Sequence, residues 1–244
     1  MASYNVKIAG MTAAIELRHE RTVKYFRPYF TDEKAECSLC PTAADMDAIR
    51  QKFRHNDRLR GAEEYHYPAI AVEASALLDL LSHELLKRDF LLTHGSAVVY
   101  KGRAYLFIAP SGTGKSTHTR RWLELLGEEA FIINDDKPFI RIDGGAATVY
   151  ANPWGLIEKP PIESAPLAAI VSLARGDKNQ VAPLSPSQMF PLLFCASLRG
   201  TTPQEALHIT ELEHRLLSSV RLFGMTCTDS LDAAKAAVAA LTTE

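Results

Sequence analysis

The run Ala109-Pro110-Ser111-Gly112-Thr113-Gly114-Lys115-Ser116-Thr117 has the residue types and spacing to hold the phosphates of a nucleotide. Gly112 and Gly114 let the backbone close around phosphate oxygens, where successive amide N–H groups and a helix N-terminus favour dense negative charge. Lys115 supplies a mobile cation, and the Ser116 hydroxyl is the magnesium donor of such a loop. A phosphate cradle does not by itself say what happens to the nucleotide, because metal binding and proton transfer need acidic groups as well. Asp135 and Asp136 are the candidates, since they follow the apolar run Phe131-Ile132-Ile133 and so belong at a strand end beside the loop. Neighbouring residues of an extended strand face opposite ways, which predicts divided roles: one carboxylate near magnesium, the other near an incoming hydroxyl.

The loop needs a strand before it and a helix after it. Ala104–Ile108 is rich in β-formers and apolar enough to be a buried strand. A helix starting near Ser116 carries Trp122, Leu123, Leu125 and Leu126. The first loop position is Ala109 where the phosphate-loop pattern has glycine, and average residue usage gives the pattern so relaxed in roughly two of a hundred chains this long. The flanking strand and helix lower that rate further. His118, Arg120 and Arg121 sit on the same helix, where one could reach a phosphate, although an exposed helical face is the better account of the two arginines. Arg175, Arg199 and Arg221 are further cations without a placement.

Around this centre the chain reads as a small α+β lobe over residues 1–90 and a phosphate-loop domain over 91–244. In the lobe, Val6, Ile8, Met11, Ala13, Ile15 and Leu17 predict a hairpin around Gly10, followed by a helical stretch near Thr22–Phe30. Asp45–Arg60 reads as a solvated helix plus loop, and Leu77, Leu78, Leu81, Leu85 and Leu86 predict a helix from about Ser75 to Asp89. In the second part, Ser96–Tyr100 and Ala104–Ile108 flank the tight turn Lys101-Gly102-Arg103, and Pro138–Ile142 pairs with Ala147–Tyr150 around Asp143-Gly144-Gly145. Hairpins beside a phosphate loop predict an α/β fold with a mixed sheet. Ala168–Leu173 is a further strand. The C-terminal third is mostly helical: a capping box at Ser185–Gln188 starts a helix that Pro191 should kink or restart, and Pro203–Val220, strand Leu222–Cys227 and helix Ser230–Leu241 follow.

The 244 residues are 47% hydrophobic and 23% charged, enough apolar content for a sizeable core. A net charge of −2 and the lack of a basic stripe argue against a nucleic-acid partner. No run of 18 apolar residues occurs and the N-terminus does not read as a signal peptide, so a cytoplasmic protein without a membrane partner is expected. Cys37, Cys40, Cys195 and Cys227 are too scattered for a disulfide framework, and Cys37-x-x-Cys40 without a second close pair reads as a packed strand or turn rather than a zinc site.

In order and approximate spacing, His94-Gly95-Ser96-Ala97-Val98-Val99, the loop Ala109–Thr117 and Asn134-Asp135-Asp136 resemble the kinase domain of HPr kinase/phosphorylase, a fold shared with ATP-dependent phosphoenolpyruvate carboxykinase. The likeness runs from His94 to the end. It implies ATP and Mg2+ as cofactors, Ser111, Gly112, Thr113, Gly114, Lys115, Ser116 and Thr117 around the phosphates, Asp135 as base, Asp136 with Ser116 at magnesium, Lys115 on the transferring phosphoryl group and His94 near the active site. Asn152-Pro153-Trp154-Gly155 resembles the Pro-Trp motif of compact relatives, but the Gly-Lys pair that follows there is replaced by Leu156-Ile157-Glu158-Lys159. The expected function is transfer of the γ-phosphoryl group of ATP to a hydroxyl of a protein, peptide or small metabolite, with a homo-oligomer an option. Two alternatives stay open: a nucleotide-binding regulatory protein with weak turnover, favoured by the altered segment after Trp154, and a carboxykinase-like lyase.

Overall fold

Alternating apolar residues at the start of the chain build a hairpin, because each alternate side chain can reach one buried face. Strands β1 (Ala2–Ile8) and β2 (Met11–Leu17) pair antiparallel, with Val6, Ile8, Met11, Ala13, Ile15 and Leu17 all buried. The computed structural model describes residues 2–59, 61, 65–155 and 160–243, and the chain divides into two compact units, Met1–Leu85 and Leu86–Glu244.

In the first unit, helix α1 (Glu20–Phe26) gives way to a 3-10 turn at Arg27–Tyr29. The expected helix over 22–30 stops there, since Pro28 cannot donate to an α-helical ladder and its ring would meet the carbonyl four residues back. Strand β3 (Cys37–Leu39) adds parallel to β2, so Cys37 sits on a strand, and all four cysteines are free thiols. Helix α2 (Ala43–Leu59) and helix α3 (Ala69–Leu86) complete the unit. Leucine periodicity alone placed the start of α3 near Ser75. The helix begins six residues earlier, directly after Pro68, whose carbonyl accepts from the Ala71 and Val72 amides. Glu73 of α3 is buried but fully used, accepting from the Arg18 amide (2.8 Å) and the Thr22 hydroxyl (2.6 Å).

The second unit is built on a mixed sheet. Its elements are β4 (Phe90–Leu92), β5 (Gly95–Tyr100), β6 (Arg103–Ile108), α4 (Lys115–Leu126), β7 (Ala130–Asn134), β8 (Phe139–Asp143), β9 (Ala146–Tyr150), β10 (Ser164–Arg175), β11 (Gln180–Pro183), α5 (Pro186–Ala196), α6 (Pro203–Ser219), β12 (Arg221–Cys227) and α7 (Leu231–Leu241). The strands run β4-β8-β9-β10-β6-β5-β7, and β12 joins the other side of β10 and carries β11. β10 is long enough to serve two neighbourhoods. Its start pairs antiparallel with β9, and its remainder runs parallel between β6 and β12.

Both faces of this sheet are covered, which is why its strands read as near-continuous apolar runs. Ala97 and Val99 of β5, Leu106 and Ile108 of β6 and Ile170 of β10 face a core shared with Met189 and Leu193 of α5 and Leu212 and Leu216 of α6. The intervening Val98, Tyr105, Phe107, Ala169 and Val171 face the opposite core with Trp122 of α4 and Ala233, Ala237 and Leu241 of α7. The capping box at Ser185 forms as expected, but α5 continues through Pro191 without interruption. Pro191, the sixth residue of α5, has no N–H to give the Ser187 carbonyl, and the helix runs on past that one missing ladder bond. Among the described residues no helix is long and apolar enough to cross a membrane.

Candidate functional site

Strand β6 delivers the chain to the loop Ala109–Gly114, and α4 starts at Lys115. Gly114 adopts φ 113°, a left-handed conformation open to glycine, and turns the loop into the helix. The loop rim is tied to the neighbouring strand. Arg175, the last residue of β10, donates from Nε to the Thr113 carbonyl (3.2 Å) and from a terminal nitrogen to the Gly112 carbonyl (2.6 Å). Ser111 and Gly112 are exposed, while Thr113, Gly114, Ser116 and Thr117 are half-buried.

Lys115 is buried, and its Nζ donates back to the Ala109 carbonyl at 2.9 Å. Burial draws its pKa below the usual lysine value, and Lys137 pushes the same way, while Asp136 and Asp135 oppose the shift. The Lys115 ammonium therefore lies in the field of both sequence-predicted carboxylates.

Those carboxylates do not continue β7. The strand ends at Asn134, whose buried side chain bends the chain by accepting from the amides of Asp136 (3.0 Å) and Lys137 (2.7 Å). The same side chain donates to Asn152 Oδ1 (3.0 Å) and to the Trp154 carbonyl (2.7 Å), and Asn152 donates to the Lys137 carbonyl (2.8 Å). Two buried asparagines thus clamp the aspartate turn to the segment 152–154. The different surroundings of the two carboxylates follow from this turn rather than from strand alternation.

Asp135 Oδ1 accepts from the Ser96 hydroxyl at 2.5 Å, and Ser96 Oγ lies 2.8 Å from Thr119 Oγ1 on α4. Ser96 has one proton and gives it to the carboxylate, so Thr119 is the donor in the second bond. Asp136 Oδ1 instead faces His94 Nε2 at 3.4 Å and Lys137 Nζ at 3.5 Å. His94 is fixed by its amide, which donates to the Ala196 carbonyl (2.6 Å), and the next amide, Gly95, donates to the Asp136 carbonyl (3.2 Å). Lys115, Asp135, Asp136 and His94 thus come together at the carboxyl end of β6 and β7.

Other sequence candidates are drawn elsewhere. His118 is buried, its ring set edge-on to Phe107, and its Nε2 accepts from Trp122 Nε1 at 3.2 Å. Burial pushes its pKa down to about 4, so it is a neutral core group and not a phosphate-binding cation. Arg120 is exposed, and Arg121 is held by Glu124 (2.7 Å) and Asp229 (3.1 Å). Arg199 stacks 3.5 Å over the Phe194 ring, and Arg221 is bound to carbonyls at the end of α7. Trp154 is buried, and its carbonyl serves the asparagine clamp. Glu158 and Lys159 lie outside the described residues.

No family model matches the chain, and no curated protein matches it. Among solved structures the chain is similar to the Hpr(Ser) kinase/phosphatase from Coxiella burnetii, at 12% identity, covering 51% of this chain and 96% of that one with a TM-score of 0.29. Residue roles at this site therefore rest on its own geometry.

Sequence reasoning gave no role to Thr119, took Ser96, Asn134 and Asn152 only as parts of motifs, and left Arg175 a cation without a placement. A signal existed for one of them. Ser96 is a small hydroxyl set among Gly95, Ala97, Val98 and Val99 of a buried strand, and a buried hydroxyl requires a partner.

Proposed function

We propose that the second unit is an ATP- and magnesium-dependent phosphotransferase that moves the γ-phosphoryl group to a hydroxyl. One observation carries this reading: a phosphate loop whose lysine lies in the field of two adjacent carboxylates, one of them hydrogen-bonded and one paired with a histidine. Phosphoryl transfer demands little covalent chemistry from a protein, so positioning and charge are what the residues must supply.

The Ser116 hydroxyl and the Asp136 carboxylate are hard oxygen donors of the kind magnesium takes together with water and phosphate oxygens, so the residues fit that ion. Magnesium, when bound, would neutralise phosphate charge. The loop amides hold the phosphates. Lys115 exchanges its loop carbonyl for phosphate oxygens, which also returns a buried cation to a counter-charge. Asp135, held through Oδ1 by Ser96, accepts the proton of the incoming hydroxyl. His94 steadies Asp136. The acceptor is a serine of a protein or peptide, or a small hydroxylated metabolite.

The test is to incubate the protein with γ-labelled ATP, magnesium and pools of peptides and metabolites. Label should reach an acceptor, and Asp135→Asn should abolish transfer while ATP still binds. ATP binding without transfer to any pool would favour the regulatory alternative. Transfer that survives both Asp135→Asn and Asp136→Asn would remove the site.

A further inference from the structure

Lys137 closes the aspartate turn, and its main chain is fixed on every side. Its amide donates to Asn134 Oδ1 (2.7 Å) and its carbonyl accepts from Asn152 (2.8 Å), while the carbonyls of its two neighbours, Asp136 and Pro138, accept from the Gly95 (3.2 Å) and Thr93 (3.1 Å) amides. A side chain rooted in so rigid a stretch carries its ammonium to a small region, and that of Lys137 is only 30% exposed. Among the described residues the acid it meets is Asp136, whose Oδ1 lies 3.5 Å from Nζ. Resting on the phosphotransferase reading, we infer that Lys137 is a catalytic residue, a second cation on the γ-phosphoryl group beside Lys115.

Three features support the assignment. The contact with Asp136 is loose, since a firm charge-assisted N–H···O bond spans ~2.7–2.9 Å, and a partly exposed ion pair of this kind holds its partners weakly. Asp136 is also the carboxylate that serves magnesium in the proposed reaction, and an oxygen given to a metal ion is a poorer partner for an ammonium group. With Mg·ATP bound, the phosphate oxygens are the anions at hand for Lys137. Finally, Lys115 and Lys137 lie in each other's field as well as in that of Asp136. Two like charges brought together from separate elements, helix α4 and the turn between β7 and β8, repel in the ligand-free protein, and an anion shared by both relieves that repulsion.

In the transfer, the bond from the acceptor oxygen to the γ-phosphorus forms while the bond from that phosphorus to the β,γ-bridging oxygen breaks. The electron pair of the broken bond leaves with ADP, and the hydroxyl proton passes to Asp135. Lys137 keeps its own protons and donates hydrogen bonds to the peripheral oxygens of the moving phosphoryl group, adding to the charge that Lys115 supplies.

Calorimetry on the full chain with Mg·ADP and with Mg·AMP-PNP, whose γ-phosphoryl group is not transferred, tests the assignment. Lys137→Met should weaken AMP-PNP about tenfold and leave ADP within about twofold, whereas Lys115→Met should weaken both. Lys137→Arg keeps the charge and should restore the preference for AMP-PNP. Equal weakening of both nucleotides by Lys137→Met, or of neither, would overturn the assignment; Lys137→Gln takes its place if the methionine variant does not fold. A selective loss that disappears in an Asp136→Asn background would overturn it as well, because Lys137 would then act through Asp136. Transfer of γ-label at saturating ATP should fall about a hundredfold in Lys137→Met, and unchanged transfer would count against a catalytic role. Wild-type protein that shows the selective loss on mutation but labels no acceptor would keep Lys137 on the γ-phosphoryl group and overturn the phosphotransferase reading. Binding of neither nucleotide by the wild type would overturn both.

Discussion

Gly155 and Asp136 meet backbone to backbone: a β-carbon on Gly155 would fall 2.7 Å from the Asp136 amide nitrogen and 2.9 Å from its Cβ. Gly155 also has φ +100°, where an L side chain is strained. The close approach presses Gly155 onto the aspartate turn, beside the Asn134–Asn152 clamp. Gly155→Ala should therefore displace Asp135 and Asp136 as well as cost about 1–3 kcal/mol of stability from the backbone conformation. Thermal unfolding reads the stability, and magnesium-dependent ATP binding reads the turn. An unchanged magnesium dependence in a destabilised variant would separate the two effects and detach Gly155 from the site.

This contact also marks what the sequence could and could not convey. Strand β6, the glycine loop after it and helix α4 were legible because local chemistry dictates them: β-formers, then glycines, then a helical apolar stripe. The hairpin at Lys101-Gly102 was legible for the same reason, and its two-residue turn has positive φ at both positions. The partners of Asp135 were not. Ser96 and Asp135 are 39 positions apart in the chain and meet only because β5 pairs with β7. His118 was misleading, since a histidine beside a phosphate loop suggests a ligand, whereas the helical phase turns it onto Phe107 and Trp122. Helix phase is local information, but which face meets the sheet is decided by tertiary packing.

Lys115 is a cation that the fold buries. Its lowered pKa means that the folded protein binds this proton less tightly than the unfolded chain does. The sign follows: between the folded and unfolded pKa values the unfolded state holds more protons, so this group makes stability rise as pH climbs toward 10.5. Lys115→Met should remove that rise and leave the ligand-free protein no less stable at neutral pH, while ATP affinity falls about a hundredfold. Unfolding measured against pH, beside calorimetry, checks both parts. A Lys115→Met protein that is much less stable without ligand would show that the cation supports the loop fold itself.

His118 should dominate the loss of stability in mild acid. Its folded pKa of about 4 lies below the ordinary 6.5, so the unfolded chain protonates first. The stability linked to the neutral ring is complete above pH 6.5, is lost as pH falls toward 4, and amounts to about 3 kcal/mol at most. His118→Gln keeps an acceptor for the Trp122 indole and has no proton to gain. It should flatten the pH dependence of denaturant unfolding across that window. The same slope in variant and wild type would move the acid sensitivity to the carboxylates.

Ser96→Ala tests how Asp135 is aimed. The hydroxyl is fully buried, donates to Asp135 Oδ1 at 2.5 Å and is itself held by Thr119, one turn into the phosphate-loop helix. It is a positioning residue, since Asp135 alone would touch the acceptor. Removing it frees the carboxylate to rotate and costs about 1 kcal/mol of stability for the lost hydrogen bond. Orientation errors weigh more on transfer than on binding, so turnover should fall about tenfold to a hundredfold with Mg·ATP affinity within about twofold. The pairing of kcat with ATP affinity distinguishes this from a structural effect. If affinity falls and turnover at saturation does not, Ser96 acts on the phosphate loop through Thr119 and not on the base.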